Sequence, residues 1–223
     1  MVIKNALKKY ILLLTTLFVS QLTLSQYSEY DWVERDTWMN VKDIFTQAGI
    51  DDGSFVADIG CHEGYLSVHL AKAVGYEGKV FAVDVRLDRL ETLKSNLKDR
   101  ELTNVNVIHG DYDDPKLPQN ELDVVIIMDT YHEMNDYMAI LKHVHASLKS
   151  KGRIVIIEKL KTHIKGKSRA AQIDAHSLGP TYVKKELIDA GFKIVHQNND
   201  IGDWENDTNK VIWMLIAEKP KTN

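Results

Sequence analysis

The chain has 223 residues, of which 44% are hydrophobic and 27% charged, and its formal net charge at pH 7 is −4. A chain of this length and composition folds as a single globular domain with a full apolar core. Its single cysteine, Cys61, excludes a disulfide framework and a cysteine-rich zinc site. The negative net charge gives a nucleic-acid partner no electrostatic support, so a small molecule is the expected partner.

The first 25 residues differ in composition from the rest of the chain. Three lysines precede a short apolar run at residues 11–19, and the small residues Thr23 and Ser25 follow. This order is typical of a secretory signal. It predicts a signal peptide at residues 1–25, a single domain at residues 26–223, and export to the periplasm or the medium. The alternative is an uncleaved membrane anchor at residues 10–24, although a span needs about 20 apolar residues. Membrane contact is expected only through such an uncleaved segment.

After residue 26, strand-like and helix-like segments alternate along the chain. This alternation is typical of a mostly parallel sheet with helices on both faces. The last two strands could pair antiparallel at one edge, joined by an acidic loop at residues 198–209. The predicted strands are residues 55–59, 79–83, 104–108, 122–128, 153–158, 192–196 and 210–218. The predicted helices are residues 36–48, 63–74, 87–99, 135–148 and 180–190.

In such a sheet, ligands bind at the carboxyl ends of the strands. The first strand runs into Asp58-Ile59-Gly60-Cys61-His62-Glu63-Gly64, which leads directly into a helix. Its glycines allow a tight turn and a close approach of a ligand, and the helix N-terminus offers amide groups. The dinucleotide fingerprint needs glycine where the chain has His62 and Tyr65, so NAD binding is disfavoured. A plain strand-to-helix turn is the alternative interpretation.

Acidic residues follow the next three strands. Asp84 ends the second strand, where a carboxylate can accept two hydrogen bonds from a ribose diol; a helix N-cap is the alternative role. Gly110-Asp111-Tyr112 follows the third strand, and Asp111 could accept a hydrogen bond from an adenine amino group. The fourth strand ends at Asp129, within the segment Asp129-Thr130-Tyr131-His132-Glu133.

This combination resembles the class I S-adenosylmethionine-dependent methyltransferases over roughly residues 35–218. The nearest resemblance is to a subgroup of predicted small-molecule methyltransferases with Tyr-His-Glu after strand four, here with an N-terminal signal peptide. His62 replaces the commoner glycine. The resemblance implies a Rossmann-like, doubly wound seven-stranded sheet of order 3-2-1-4-5-7-6. It also implies S-adenosyl-L-methionine as cofactor, held by Asp58, Gly60, Cys61, Gly64, Asp84, Val85, Gly110, Asp111, Tyr112 and Asp129.

The implied activity is methyl transfer to an unidentified small molecule. His132 is the candidate general base, because imidazole titrates near neutral pH. Alternatively, His132 orients a loop or contacts the cofactor, while Asp129 contacts the methionine amino group. A different class of function is a non-catalytic, exported protein that binds an adenosyl ligand as a sensor or scaffold. An NAD-dependent oxidoreductase ranks third.

No metal site is expected from the histidine spacing. The nearest pair, His143 and His145, lies within a predicted helix. Residues two apart in a helix point to different faces and cannot hold one ion together.

Overall fold

The computed structural model describes residues 29–221, except for the side chain of Tyr30. The predicted signal peptide and the alternative anchor lie outside these residues. Within the described part of the chain, every helix is too short or too polar to cross a membrane.

Seven strands and seven α-helices make up the described domain. The strands are β1 (Phe55–Ile59), β2 (Lys79–Asp84), β3 (Val105–His109), β4 (Leu122–Met128), β5 (Leu148–Lys161), β6 (Lys193–Asp203) and β7 (Lys210–Glu218). The helices are α1 (Trp32–Arg35), α2 (Val41–Ala48), α3 (Tyr65–Ala73), α4 (Leu87–Asp99), α5 (Tyr137–Ser147), α6 (Arg169–Asp174) and α7 (Pro180–Asp189).

The strands form one sheet of order β3-β2-β1-β4-β5-β7-β6. The pairs from β3 through β5 are all parallel, whereas β7 is antiparallel to both β5 and β6. The predicted fold class and strand order are therefore confirmed. Because β1, β2 and β4 are parallel neighbours, their carboxyl ends open at the same edge of the sheet.

The sheet separates two apolar clusters, because successive side chains in a strand point to opposite faces. In β4, for example, Val124 and Ile126 belong to one cluster, and Val125 and Ile127 belong to the other. Helices α2, α3 and α4 cover the first face, and helices α5 and α7 cover the second. Strand β4 is thus buried on both sides, which explains its continuous apolar sequence.

Several predicted boundaries differ from the structure. The predicted first helix, residues 36–48, starts later than expected, because Asn40 accepts a hydrogen bond from the Asp43 amide and caps α2, which begins at Val41. Strand β5 begins at Leu148 rather than at residue 153, and β6 extends into the predicted acidic loop as far as Asp203. Helix α6 was not predicted; its N-cap is Ser168, whose side chain accepts from the Ala171 amide.

Gly60, at the end of β1, packs too closely against the next loop to accept a side chain. Its φ is +81°, and a Cβ would lie 2.4–2.7 Å from three atoms of the Thr130 side chain. We expect Gly60→Ala to destabilise the domain by about 2–4 kcal/mol, as a left-handed alanine costs about 1–2 and overpacking adds the rest.

Gly53 provides a matched control for this prediction. It has the same φ of +81°, but its Cβ would meet nothing within 4 Å. We expect Gly53→Ala to cost only about 1–2 kcal/mol, from the backbone alone. Urea unfolding of both variants measures the difference. Equal losses would show that contact with Thr130 adds nothing.

Candidate functional site

A cavity of about 320 Å³ opens at the carboxyl ends of β1, β2 and β4. This volume is at the lower end of the range for small-molecule and cofactor sites. Most of the residues predicted from the sequence line it, namely Asp58, Gly60, Cys61, Asp84, Val85, Asp111, Tyr112 and Asp129. Among the described residues, three predicted ones lie outside the cavity wall, namely Gly64, Gly110 and His132.

Gly64 and Gly110 shape the wall through packing. Gly64 is the N-cap of α3 with a φ of 99°, and a Cβ there would lie 2.2 Å from Leu93. A Cβ on Gly110 would lie 2.8 Å from Val83. A side chain at either position would therefore displace the elements that support the cavity.

The turn between β1 and α3 directs three of its amide groups into the protein. The amides of Gly60 and Cys61 both donate to the Val83 carbonyl, at 2.8 and 3.0 Å, and the His62 amide donates to Asp84. These three N–H groups are therefore not available to a ligand. A ligand would contact this part of the turn by packing closely against its backbone. His62 has a φ of 50°, a conformation that glycine adopts more easily.

The Asp84 carboxylate is held by backbone groups on both of its oxygens. Its Oδ1 accepts from the Arg86 amide and its Oδ2 from the His62 amide, each at 2.9 Å. A carboxylate oxygen has two lone pairs, so each can accept one further hydrogen bond. Asp84 thus organises the turns after β1 and β2, and it also lines the cavity.

Asp58 is a buried carboxyl group that also lines the cavity. Burial raises its pKa from 3.8 to about 6, and the hydrogen bond from the Ser67 hydroxyl, 2.6 Å long, opposes this rise. The nearby Arg35 charge opposes it as well. The folded protein therefore binds this proton more tightly than the unfolded chain does.

The raised pKa of Asp58 predicts that stability falls as the pH rises from about 4 to about 6, because the folded state must lose a proton that it holds tightly. Asp58→Asn cannot ionise and lacks this dependence. Relative to the wild type, we expect the variant to gain about 2–3 kcal/mol between pH 4 and pH 7.5. Urea unfolding at both pH values measures this. Asp113→Asn, at an exposed position, is the control, and its stability should change with pH as that of the wild type does. An Asp58→Asn profile parallel to that of the wild type would contradict the prediction.

Asp129, which lines the cavity, belongs to a group of four buried ionisable side chains. Asp129 pairs with Lys159, and the Nδ1 atom of His132 lies 2.9 Å from the Glu158 carboxylate. The Lys159 ammonium also lies 4.5 Å from the centre of the Trp204 ring. Burial raises the pKa of Glu158. Burial alone would lower the pKa of His132, but the Glu158 carboxylate outweighs it and raises that pKa overall.

Burial also raises the pKa of Cys61 well above its ordinary value. The thiol is therefore neutral, which agrees with a packing role rather than a nucleophilic one.

Four further charged residues line the cavity without having been predicted, namely Arg35, Glu63, Arg86 and Glu133. Arg35, from α1, is buried, and its guanidinium carbon lies 4.3 Å from the centre of the Tyr65 ring and 5.1 Å from that of Trp204. It gives the cavity a positive charge close to Asp58. Glu133 lines the wall just after Thr130. No local sequence signal marks Arg35, since only the fold brings α1 to the strand ends.

Comparisons with known proteins agree with this architecture. Residues 56–152 match the family described as Methyltransferase domain. A demethylmenaquinone methyltransferase from Geobacillus stearothermophilus is 33% identical over 117 residues, which are 52% of this chain and 50% of that protein. The chain thus spans about half the length of the named relatives that it matches.

Solved structures share the fold at low sequence identity. An S-adenosylmethionine-dependent methyltransferase from Aquifex aeolicus superposes with a TM-score of 0.69 at 22% identity, covering 80% of this chain and 89% of that one. The [4+2]-cyclase SpnF superposes with a TM-score of 0.68 at 16% identity, covering 82% of this chain and 81% of that one.

The strand order is that of a Rossmann-like α/β protein, and its acidic cavity lies at the carboxyl ends of the strands, where such folds bind their ligands. Together with the domain match over residues 56–152, they support the class I S-adenosylmethionine-dependent methyltransferase family that the sequence motifs predicted, and S-adenosylmethionine as that family's cofactor.

Proposed function

We propose that the protein transfers the methyl group of S-adenosylmethionine to a small-molecule acceptor. The observation that carries this proposal is the Asp84 carboxylate, which lines the cavity with both oxygens fixed by backbone amides. Such a carboxylate is prepared to accept both hydroxyl groups of a ribose. The other residues that line the cavity are assigned to parts of the cofactor by their positions relative to Asp84.

The charges of the cavity fit this cofactor, which carries a positive sulfur, an amino group and a carboxylate. Asp58 and Asp129 are assigned to its cationic groups, and Arg35 to its carboxylate. Val85, which follows β2, and Asp111 and Tyr112, which follow β3, are assigned to the adenine. Asp111 lies 3.0 Å from the Lys116 ammonium and would have to share an oxygen with it. Gly60 and Cys61 let the backbone approach the ligand closely.

When bound, the cofactor supplies an electrophilic methyl group. The chain's own contribution is to orient the two reactants and to exclude water, and correct placement alone can supply about 7–11 kcal/mol. No covalent residue is required. His132 lies outside the cavity wall with its Nδ1 held by Glu158. This placement supports the interpretation that His132 orients the segment after β4. It does not support the interpretation that His132 is a general base.

Calorimetric titration of the purified protein with S-adenosylmethionine, S-adenosylhomocysteine and NAD tests the cofactor assignment. We expect one-site binding of both adenosyl compounds and none of NAD. A ligand at 100 times its dissociation constant adds about 2.7 kcal/mol of stability, which a thermal shift detects. Failure of both adenosyl compounds to bind would overturn the proposal.

An acceptor panel with radiolabelled cofactor tests the transfer itself. The panel includes demethylmenaquinone, because the named relatives are demethylmenaquinone methyltransferases. Tight binding without transfer to any acceptor would favour the exported binding protein. The fold alone does not decide between these outcomes, because the cyclase SpnF, named for a different reaction, has the same fold.

We also propose that residues 1–25 direct export of the protein, on the basis of their composition alone. N-terminal sequencing of the protein from its native cell is expected to begin near Gln26. Retention of Met1 would contradict a cleaved signal.

A further inference from the structure

We propose that His132, Glu133 and His176 form a binding site for a divalent transition-metal ion, typically Zn²⁺, next to the cavity that Glu133 lines. One ligand atom from each of the three side chains lies within 4.8 Å of the other two. The Nε2 atom of His132 lies 3.9 Å from Oε1 of Glu133. The site goes beyond the proposed methyl transfer and does not depend on it.

The orientation of His132 is the first argument. Its Nδ1 contacts both oxygens of the Glu158 carboxylate, at 3.0 and 2.9 Å, and Glu158 is completely buried. Histidines that bind metals commonly donate their other ring N–H to a carboxylate in this way, which fixes the ring and its tautomer. Such a bond leaves Nε2 as the metal-binding atom, and Nε2 is the atom beside Glu133.

The distances are the second argument. A zinc ion with bonds of about 2.0–2.2 Å brings its ligand atoms to about 3.5 Å from one another. The three atoms would have to approach one another by about 1.3 Å at most to reach this separation. Glu133 has a side chain that is 63% exposed, and His176 is exposed as well. Rotation of these two side chains can therefore close the site around the fixed His132 ring.

A second group of possible ligands, Asp129, His132 and Glu158, surrounds the same ring on its buried side. Here a cation is already present, because the Lys159 ammonium pairs with Asp129. The Nε2 side therefore offers the better site for an added ion.

The donor set indicates the kind of ion and its place. Two imidazoles and one carboxylate suit Zn²⁺ and its neighbours, and three protein ligands leave at least one coordination position for another group. Because Glu133 also lines the cavity, a bound ion would offer that position to an oxygen atom of a ligand there. The inferred site thus favours cavity ligands that carry a hydroxyl or carboxyl group.

Metal binding by the full-length protein tests the site without any methyl transfer. The chelator-treated protein is dialysed against Zn²⁺ and analysed for bound metal, and it is then titrated with Co²⁺ while its visible absorption is recorded. We expect one ion per chain. Loss of a partner outside the ligand set already weakens metal sites by about 10–100-fold. His176→Ala and Glu133→Gln, which each remove a ligand, are expected to weaken binding at least as much.

His163→Ala is the matched control, since His163 is also an exposed histidine after β5 but is not in the group of ligands. Its affinity for the ion should equal that of the wild type. Absence of binding by the wild type, or equal binding by all three variants, would overturn the inference. Cofactor titrations of the same preparations separate this failure from failure of the proposed function.

Discussion

Asp84→Ala should lose at least about 100-fold in affinity for S-adenosylhomocysteine. The substitution removes a carboxylate with one unused acceptor position on each oxygen. Hydrogen bonds to a charged group contribute about 1.5–3 kcal/mol each, and the loss of two therefore exceeds the roughly 2.7 kcal/mol that corresponds to 100-fold. Calorimetric titration of the variant measures this loss directly.

Two controls separate ligand contact from damage to the fold. Asp84→Ala also deprives the His62 and Arg86 amides of their acceptor, so the melting temperature of the ligand-free variant must be measured. Asp88→Ala removes an exposed acid of α4 that lies outside the cavity wall. It should bind the ligand like the wild type. Unchanged affinity in Asp84→Ala would place the ribose elsewhere.

Lys159→Met is expected to destabilise the domain by about 3–5 kcal/mol. The side chains of Lys159 and Asp129 are only 6% and 1% exposed. Removing one partner of a buried ion pair leaves the other charge without compensation. Here the substitution leaves Asp129 close to a second buried acid, Glu158. Equilibrium unfolding in urea gives the change in free energy.

A surface ion pair of the same residue types is the control for this prediction. Lys185 and Asp189 are 77% and 49% exposed, and they are four residues apart in α7. Lys185→Met should change the free energy of unfolding by less than about 1 kcal/mol. The double variant Asp129→Asn/Lys159→Met should lose less than the sum of its single variants. Strict additivity would mean that the buried charges do not interact.

The parts of the fold that the sequence predicted best are those with an unambiguous local pattern. The bounds of β1, β4, β7 and α4 agree with the prediction, because apolar runs or a regular apolar face define them and turn residues end them. The apolar pattern of the predicted helix at residues 180–190 predicts that Val183, Leu187 and Ile188 face inward; this is wrong for Ile188, which is exposed on α7. Strand β6 is longer than predicted because it lies at the sheet edge, where polar residues face solvent.

The site residues likewise divide into those that the sequence could predict and those that it could not. Asp58, Asp84 and Asp129 were found because a parallel sheet gathers its strand ends, whatever the details of packing. Arg35 could not be found, because it reaches the site from a short helix. Its position depends on how the helices pack over the sheet, and short sequence patterns do not record that.

The buried Asp58 carboxyl also links ligand binding to protons. With a pKa of about 6, it is partly protonated in mildly acidic solution. A ligand that brings a positive charge near it stabilises the ionised form and displaces the proton. Binding would then release a proton to the buffer. The apparent heat of binding would depend on the ionisation enthalpy of that buffer, and the protein would hold such a ligand less tightly in an acidifying compartment than in a neutral one.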